Sequence, residues 1–479
     1  MPKAFLTIVL LACAAMAATA QRWYPATIPA PYNAGFYLDV YFLPSNPSYG
    51  WACDNNFGYV VRTTDGGRTW RGTQIQGAGC HLEYIQFLDT QTGYCSGPCG
   101  IYKSTDGGAS WSADLRPTNP DRPAIWGGWF RDATTGWFVG GGCGTKVFLR
   151  TDDGGATFNR FESTVGGQGA PSDPLWQPDM PPNHVYAIAG GMMWRSVDDG
   201  FTWAPLLATG PTRPWHEELA RFGSSWLIPS SETQCDAAST NGMRFSPDDG
   251  ATIRQFNTNG AMFGSFLLDA NTGWGAGFNW NVWYTQDAGQ NWQRRACGIP
   301  AGTDLDDIWM IDANRGWVAG GRAGLYYLGP PSATVNKRDI MHIDRCLGRE
   351  YLDTILVTNV NFTTATASAA ISGRDANQFR IVQDIPPTIP TCTTVPVVVA
   401  YTPTRQGPHI ASLTLSLQNP DTTVVVSLSG ETRDRTARLT SDTITFTVRS
   451  GARDARAVEF VPTGTPYESV LTIDQLTGN

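Results

Sequence analysis

The sequence predicts an all-β protein: a seven-bladed β-propeller over residues 21–330, followed by a β-sandwich over residues 338–431. Three observations predict it. First, a turn of the form Ser/Thr-x-Asp-x-Gly-x-Thr/Ser-Trp recurs. It is clearest at Thr63–Trp70 and Ser104–Trp111, and more worn where it ends at Phe158, Trp203, Ile253 and Trp292. Its aspartates (Asp65, Asp106, Asp153, Asp198, Asp248 and Asp287) are separated by 41, 47, 45, 50 and 39 residues, a period typical of propellers and arrays. Second, a Gly-aromatic pair or its equivalent precedes each of the six turns and recurs once more without one: Gly50-Trp51, Gly93-Tyr94, Gly136-Trp137, Val185-Tyr186, Ser225-Trp226, Gly273-Trp274 and Gly316-Trp317, seven copies in all. Third, charged residues are only 16% while Gly numbers 52 and Trp 18, which suits a repeated β fold rather than a helical or disordered one.

The chemistry of the repeat is structural. A strand, an Asp-Gly or Gly-Gly step and a second strand make a hairpin. The Asp carboxylate can accept backbone N–H groups just beyond it, and Gly supplies angles other residues resist. A catalytic site needs one or two special carboxylates, so six equivalent ones read as turn formers. The seventh unit, Asp304 to Gly329, has neither turn nor fourth strand. The missing strand is expected at Arg22–Ile28. Trp23 precedes Phe42 by 19 residues, as Trp292 precedes Ile311, and closure there removes two open sheet edges.

These units resemble the Asp-box (bacterial neuraminidase repeat) propellers. Phrases such as Thr135-Gly136-Trp137-Phe138-Val139-Gly140 and Arg315-Gly316-Trp317-Val318-Ala319-Gly320 resemble the photosystem II stability/assembly factor-like family. The resemblance implies non-catalytic assembly or stabilisation of a protein complex. Asp-box propellers also include sialidases and xyloglucanases, so a glycan-acting protein is the alternative. The arginines Arg62, Arg131, Arg150, Arg221 and Arg315 lack the Arg-Ile-Pro context of sialidases. Xyloglucanases use two propellers where this chain has one.

The N-terminus reads as a signal peptide over residues 1–20: Lys3, an apolar core from Ala4 to Met16, and Ala18-Thr19-Ala20 before Gln21. Leu10-Leu11-Ala12-Cys13 offers a rival lipoprotein reading. The expected location is secreted, periplasmic or cell-surface, and no further segment has the apolar length of a membrane helix. Nine cysteines then remain (Cys53, Cys80, Cys95, Cys99, Cys143, Cys235, Cys297, Cys346 and Cys392), and export favours disulfides over a metal site. Cys346 and Cys392 lie alone in the second domain and are expected to pair.

Gly329-Pro330-Pro331-Ser332 opens a linker taken to span residues 331–337. Beyond it, Thr, Val and Ile alternate with polar residues at Thr354–Val360, Val397–Tyr401, Ser412–Leu417 and Val424–Leu428. With Phe379-Arg380-Ile381, Tyr401-Thr402-Pro403 and Ser427-Leu428-Ser429-Gly430, this resembles the immunoglobulin-like modules of hydin, spindle-associated and bacterial surface (choice-of-anchor) proteins, which usually act as spacers. Residues 432–479 read as part of a second such sandwich or a tail.

The net charge of −8 and the absence of Lys/Arg runs argue against a nucleic-acid partner. The histidines are scattered, and neither cofactor nor metal is expected. One constellation stands out. Aligning the first strands of the units brings acidic residues to their starts: Asp39, Glu83, Glu217, Glu218, Asp306 and Asp307. They are expected to share one mouth of the central channel, either as ordinary solvated strand ends or as a rim that attracts a cationic group. Such clustering should bring the fold no benefit. The partner is a protein or a glycan.

Overall fold

The computed structural model describes residues 22–75, 82–118, 121–142, 144–165, 171–175, 177, 180–189, 192–208, 218–231, 241–321, 324–329, 333–360, 362, 364–418, 422–432, 437–439 and 460–462. The chain divides into two units at Pro330/Pro331.

The described residues between 22 and 329 form seven antiparallel sheets, numbered here in chain order. Sheet 1 comprises Tyr37–Phe42, Gly50–Asp54, Tyr59–Thr63 and Arg71–Gln74. Sheet 2 comprises Tyr84–Phe87, Gly93–Gly97 and Gly100–Ser104. Sheets 3 to 6 have four strands each, beginning at Ile125, Pro171, Ala220 and Met262. Sheet 7 comprises Leu305–Asp312, Arg315–Gly320 and Tyr326–Gly329, and its fourth strand is Arg22–Pro25, antiparallel to Tyr326–Gly329. First strands touch from sheet to sheet, and Tyr37–Phe42 contacts both Tyr84–Phe87 and Leu305–Asp312, so the ring closes. Between sheets 4 and 5 the contact is an apolar cluster of Leu175, Tyr186, Ile188, Met193, Leu219, Trp226 and Ile228.

Each Asp turn is closed by the same bonds. Asp106 Oδ1 accepts the N–H of Ala109 and of Ser110, both at 2.9 Å, and Oδ2 accepts the Ser110 hydroxyl at 2.6 Å. The Ser104 hydroxyl donates to Asp106 at 2.9 Å and accepts the Gly108 N–H at 2.8 Å. Asp65, Asp153, Asp198, Asp248 and Asp287 repeat the arrangement, the last with Asn291 in the hydroxyl's place. Gly66 and Gly67 hold φ of 72° and 84°, a region that penalises a Cβ. The Ser110 hydroxyl, with the other donors, holds the Asp106 carboxyl down at about 2. Asp65→Ala and Asp106→Ala are each expected to destabilise by about 1–3 kcal/mol, because orphaned turn N–H groups lose their acceptor. Urea unfolding checks this.

The Gly-aromatic pair has a role at the next sheet. Its glycine lies under an aromatic of the first strand, with Gly50 beneath Phe42 and Gly93 beneath Phe87. Its aromatic donates to the neighbouring Asp turn: Trp51 to Gly107 O at 2.9 Å, Tyr94 to Gly154 O at 3.1 Å, Trp137 to Asp199 O at 2.8 Å and Trp317 to Gly66 O at 2.9 Å. Sheet 7 has no Asp turn, and among the described residues the indole N–H of Trp274 accordingly finds no acceptor. Sheet 5 departs from the aligned pattern by one residue. There Trp226, not Ser225, pairs with the turn residue Ser246, where Gly50 pairs with Thr63. Leu227 thus takes the aromatic's place.

The second unit packs a four-stranded sheet (Ala333–Val335, Tyr351–Asn359, Thr393–Tyr401, Phe379–Gln383) on a five-stranded one (Asp339–Arg345, Thr422–Thr432, Gly407–Gln418, Ala365–Ser372, Thr388–Ile389). Inward residues of both, including Ile355, Val397, Leu413 and Val426, share one core. Two expectations need correction. The linker is shorter than residues 331–337, because Ala333–Val335 pairs with Val357–Asn359 and buries Ala333. And Cys346 and Cys392 do not pair: Cys346 is an exposed free thiol, while Cys392 is disulfide-bonded elsewhere. The reason is register. The Cys346 N–H donates to the Tyr351 hydroxyl, at the strand end where Tyr351 faces Tyr401. Cys392 adjoins Thr393, which faces Asn359 at the far end. Eight residues of strand separate those ends by roughly 26 Å, against about 7 Å tolerated by a disulfide. Beyond the core only Ala437–Leu439 paired with Phe460–Pro462 is described.

Candidate functional site: the central cavity

The first strands of the ring line a partly open cavity of about 90 Å³. Asp39, Glu83, Glu218, Asp306 and Asp307 all line it, contributed by sheets 1, 2, 5 and 7; Asp306 and Asp307 are each 8% exposed. Glu217 lies outside the described residues. These carboxylates, expected to bring the fold no benefit, also hold it. Asp39 Oδ2 accepts the Ile85 N–H of sheet 2 at 2.6 Å, and Asp307 Oδ2 accepts the Val40 N–H of sheet 1 at 2.9 Å. Glu218 accepts the Ser265 N–H of sheet 6. In sheet 2 the same task falls to Gln86, whose Oε1 accepts the Phe130 N–H at 2.7 Å. Each group thus satisfies a donor on the neighbouring sheet, and the strand starts are latched rather than solvated.

Asp307 also hydrogen-bonds the Asp39 carboxyl. Burial raises Asp307, to about 6, against the lowering bonds from Val40, Asp39 and Ile308.

Aromatic side chains fill out the walls: Tyr41, Tyr84, Trp126, Trp129, Phe263 and Trp309. Strand alternation explains part of this, since Asp39 and Tyr41 share a face, as do Asp307 and Trp309. Bulges explain the rest. Pairing slips between Tyr37 and Asp39, between Ser172 and Pro174, between Met262 and Gly264 and between Leu305 and Ile308, and opposite Gly127 and Ile125. Of the residues left unpaired at these slips, Leu38, Trp126, Phe263, Asp306 and Asp307 line the cavity. Sequence alignment of the strands missed Trp126 and Phe263. Consecutive bulky or charged residues that break the period-two pattern, as at Asp306-Asp307, are the signal that could have found them. Among the described residues no His/Cys/Asp/Glu group is arranged to hold a metal ion. No described helix is long and apolar enough to cross a membrane. Cys99, Cys297 and Cys392 are disulfide-bonded.

No protein-family model matches the chain, and neither does any curated protein. Solved structures do. YCF48 from Cyanidioschyzon merolae superposes with a TM-score of 0.50 at 18% identity, covering 64% of this chain and 99% of its own. An ancestral GH74 enzyme superposes with a TM-score of 0.50 at 12% identity, over 83% of this chain and 60% of its own. A YCF48 bound to D1 peptide aligns with a TM-score of 0.49 at 16% identity, over 64% and 97%. The first unit is thus a β-propeller. At these identities the likeness extends to fold alone.

Proposed function

We propose that this chain is an exported, non-catalytic binding protein whose propeller receives a cationic group of a protein partner in its central cavity. The seven sheets are read as seven Asp-box blades closed by the N-terminal strand. The second unit is read as an immunoglobulin-like spacer over residues 338–431, extended by Ala333–Val335, and the protein as secreted, periplasmic or surface-held. One observation carries the function: five carboxylates from four sheets line one cavity together with aromatic side chains. Carboxylates attract a cation, and aromatic faces add cation–π attraction. Assembly or stabilisation of a protein complex is the role this supports, with no cofactor.

A glycan-acting protein is the second reading, because aromatic rings and paired carboxyls also suit sugars. Against hydrolysis, glycosidase carboxyls stand about 5–9.5 Å apart to flank the bond, whereas Asp39 and Asp307 touch. Parallel peptide and glycan arrays, with an assay on chromogenic glycosides, separate the two. Retention of Lys/Arg peptides supports the proposal; glycan retention or glycoside turnover overturns it.

A further inference from the structure

The interface between sheets 4 and 5 is unlike its counterparts. Where Arg244 stands, two residues before the turn hydroxyl, the sister sheets carry Val61, Tyr102, Leu149, Trp194 and Trp283. Where Trp226 pairs with that hydroxyl residue, they carry Gly50, Gly93, Gly136, Val185 and Gly273. Where Arg221 faces Trp226, they carry Phe42, Phe87, Phe130 and Leu267. Two arginines and an indole have replaced apolar residues and glycine.

All three lie on one face. Arg244 pairs with Ile228 and Arg221 with Trp226, and directly paired residues share a face. Ile228 and Trp226 pack on sheet 4, so that face is the buried one. Arg244 and Trp226 are each 2% exposed and Arg221 is 8% exposed. Among the described residues, Arg244 Nη1 and Nη2 and Trp226 Nε1 all lack an acceptor. Burial lowers Arg244 only to about 10, so it keeps its charge at neutral pH. An uncompensated buried cation is among the most costly features a fold can hold. The orphaned groups here are all donors.

We propose that a monovalent anion of halide type binds between sheets 4 and 5, accepting from both Nη atoms of Arg244 and from the Trp226 indole. Trp226 belongs to an apolar cluster with Ile188, Met193 and Ile228, and apolar surroundings favour a weakly hydrated single charge over sulfate or phosphate. Arg244 and Trp226 are not among the residues that line the central cavity.

Bromide is the probe. Crystals grown with sodium bromide should show an anomalous peak on Arg244, and fluoride or sulfate should not displace it. In solution at constant ionic strength, replacing fluoride by bromide from about 1 to about 100 mM should raise the melting temperature by roughly 5 °C. Arg244→Leu restores the residue type of the sister sheets, so it should fold, and bromide should bind it about tenfold or more weakly. No bromide peak together with a melting temperature indifferent to the anion would overturn the proposal. So would a carboxylate of the chain itself seated on Arg244. The crystal measurement stands even if Arg244→Leu fails to fold.

Discussion

Removing residues 22–30 abolishes cooperative unfolding of the propeller. The segment supplies the fourth strand of sheet 7, through four paired residues from Arg22 to Pro25. Trp23 is fully buried, its indole donates to Arg295 O at 2.7 Å, and its N–H donates to Cys297 O at 2.8 Å. On the other side, Thr27 accepts from Trp70 N and donates to Arg68 O, tying the segment to sheet 1. Loss of a buried Trp side chain alone costs about 3–5 kcal/mol. Against a total stability of about 5–15 kcal/mol, adding the lost strand and an exposed edge leaves little. Circular dichroism and calorimetry of the truncated protein check this; an unchanged, cooperative melt would show that the ring does not depend on its closing strand.

Asp307→Asn stabilises the protein above pH 6 and leaves it nearly unchanged at pH 4. The sign follows from linkage. Folding raises the Asp307 carboxyl from its ordinary value of about 4 to about 6. Between those values the native state binds more protons than the unfolded chain, so stability falls as pH rises through that window and stays low above it. Asn keeps an oxygen for the Val40 N–H and donates to Asp39 without the charge. The expected gain at pH 8 is on the order of 1–2 kcal/mol, discounted because the group is coupled to Asp39. The Asp turns have the opposite sign: Asp106 and Asp153 sit at about 2, so their contribution is present above pH 4 and lost as pH falls towards 2. Urea titrations at pH 4, 6 and 8 test the window, and a wild type whose stability rises from pH 4 to 8 contradicts it.

What was legible in the sequence was local. The Asp turn closes within five residues, so its chemistry shows wherever its letters recur, however worn. The closing strand left its trace in the spacing from Trp23 to Phe42. What was not legible depended on register between distant strands. The single free position of Cys346 and the pairing of Tyr351 with Tyr401 put Cys392 out of reach, which composition could not reveal. The carboxylates looked like solvated strand ends because their acceptors' partners, Val40, Ile85 and Ser265, belong to other sheets. A one-residue slip placed Trp226 where glycine stands elsewhere and hid the cationic face of sheet 5.

The account's central claim is that the cavity takes a cationic group of a protein. It is tested most directly by fluorescence anisotropy with a labelled lysine- and arginine-containing peptide from the array, on wild type and on Glu83→Gln/Glu218→Gln. Gln keeps an acceptor for the Ser265 N–H and removes the charge. The expected result is binding that weakens as salt rises and falls about tenfold or more in the variant, with melting unchanged. Equal, salt-independent binding by both proteins would contradict it.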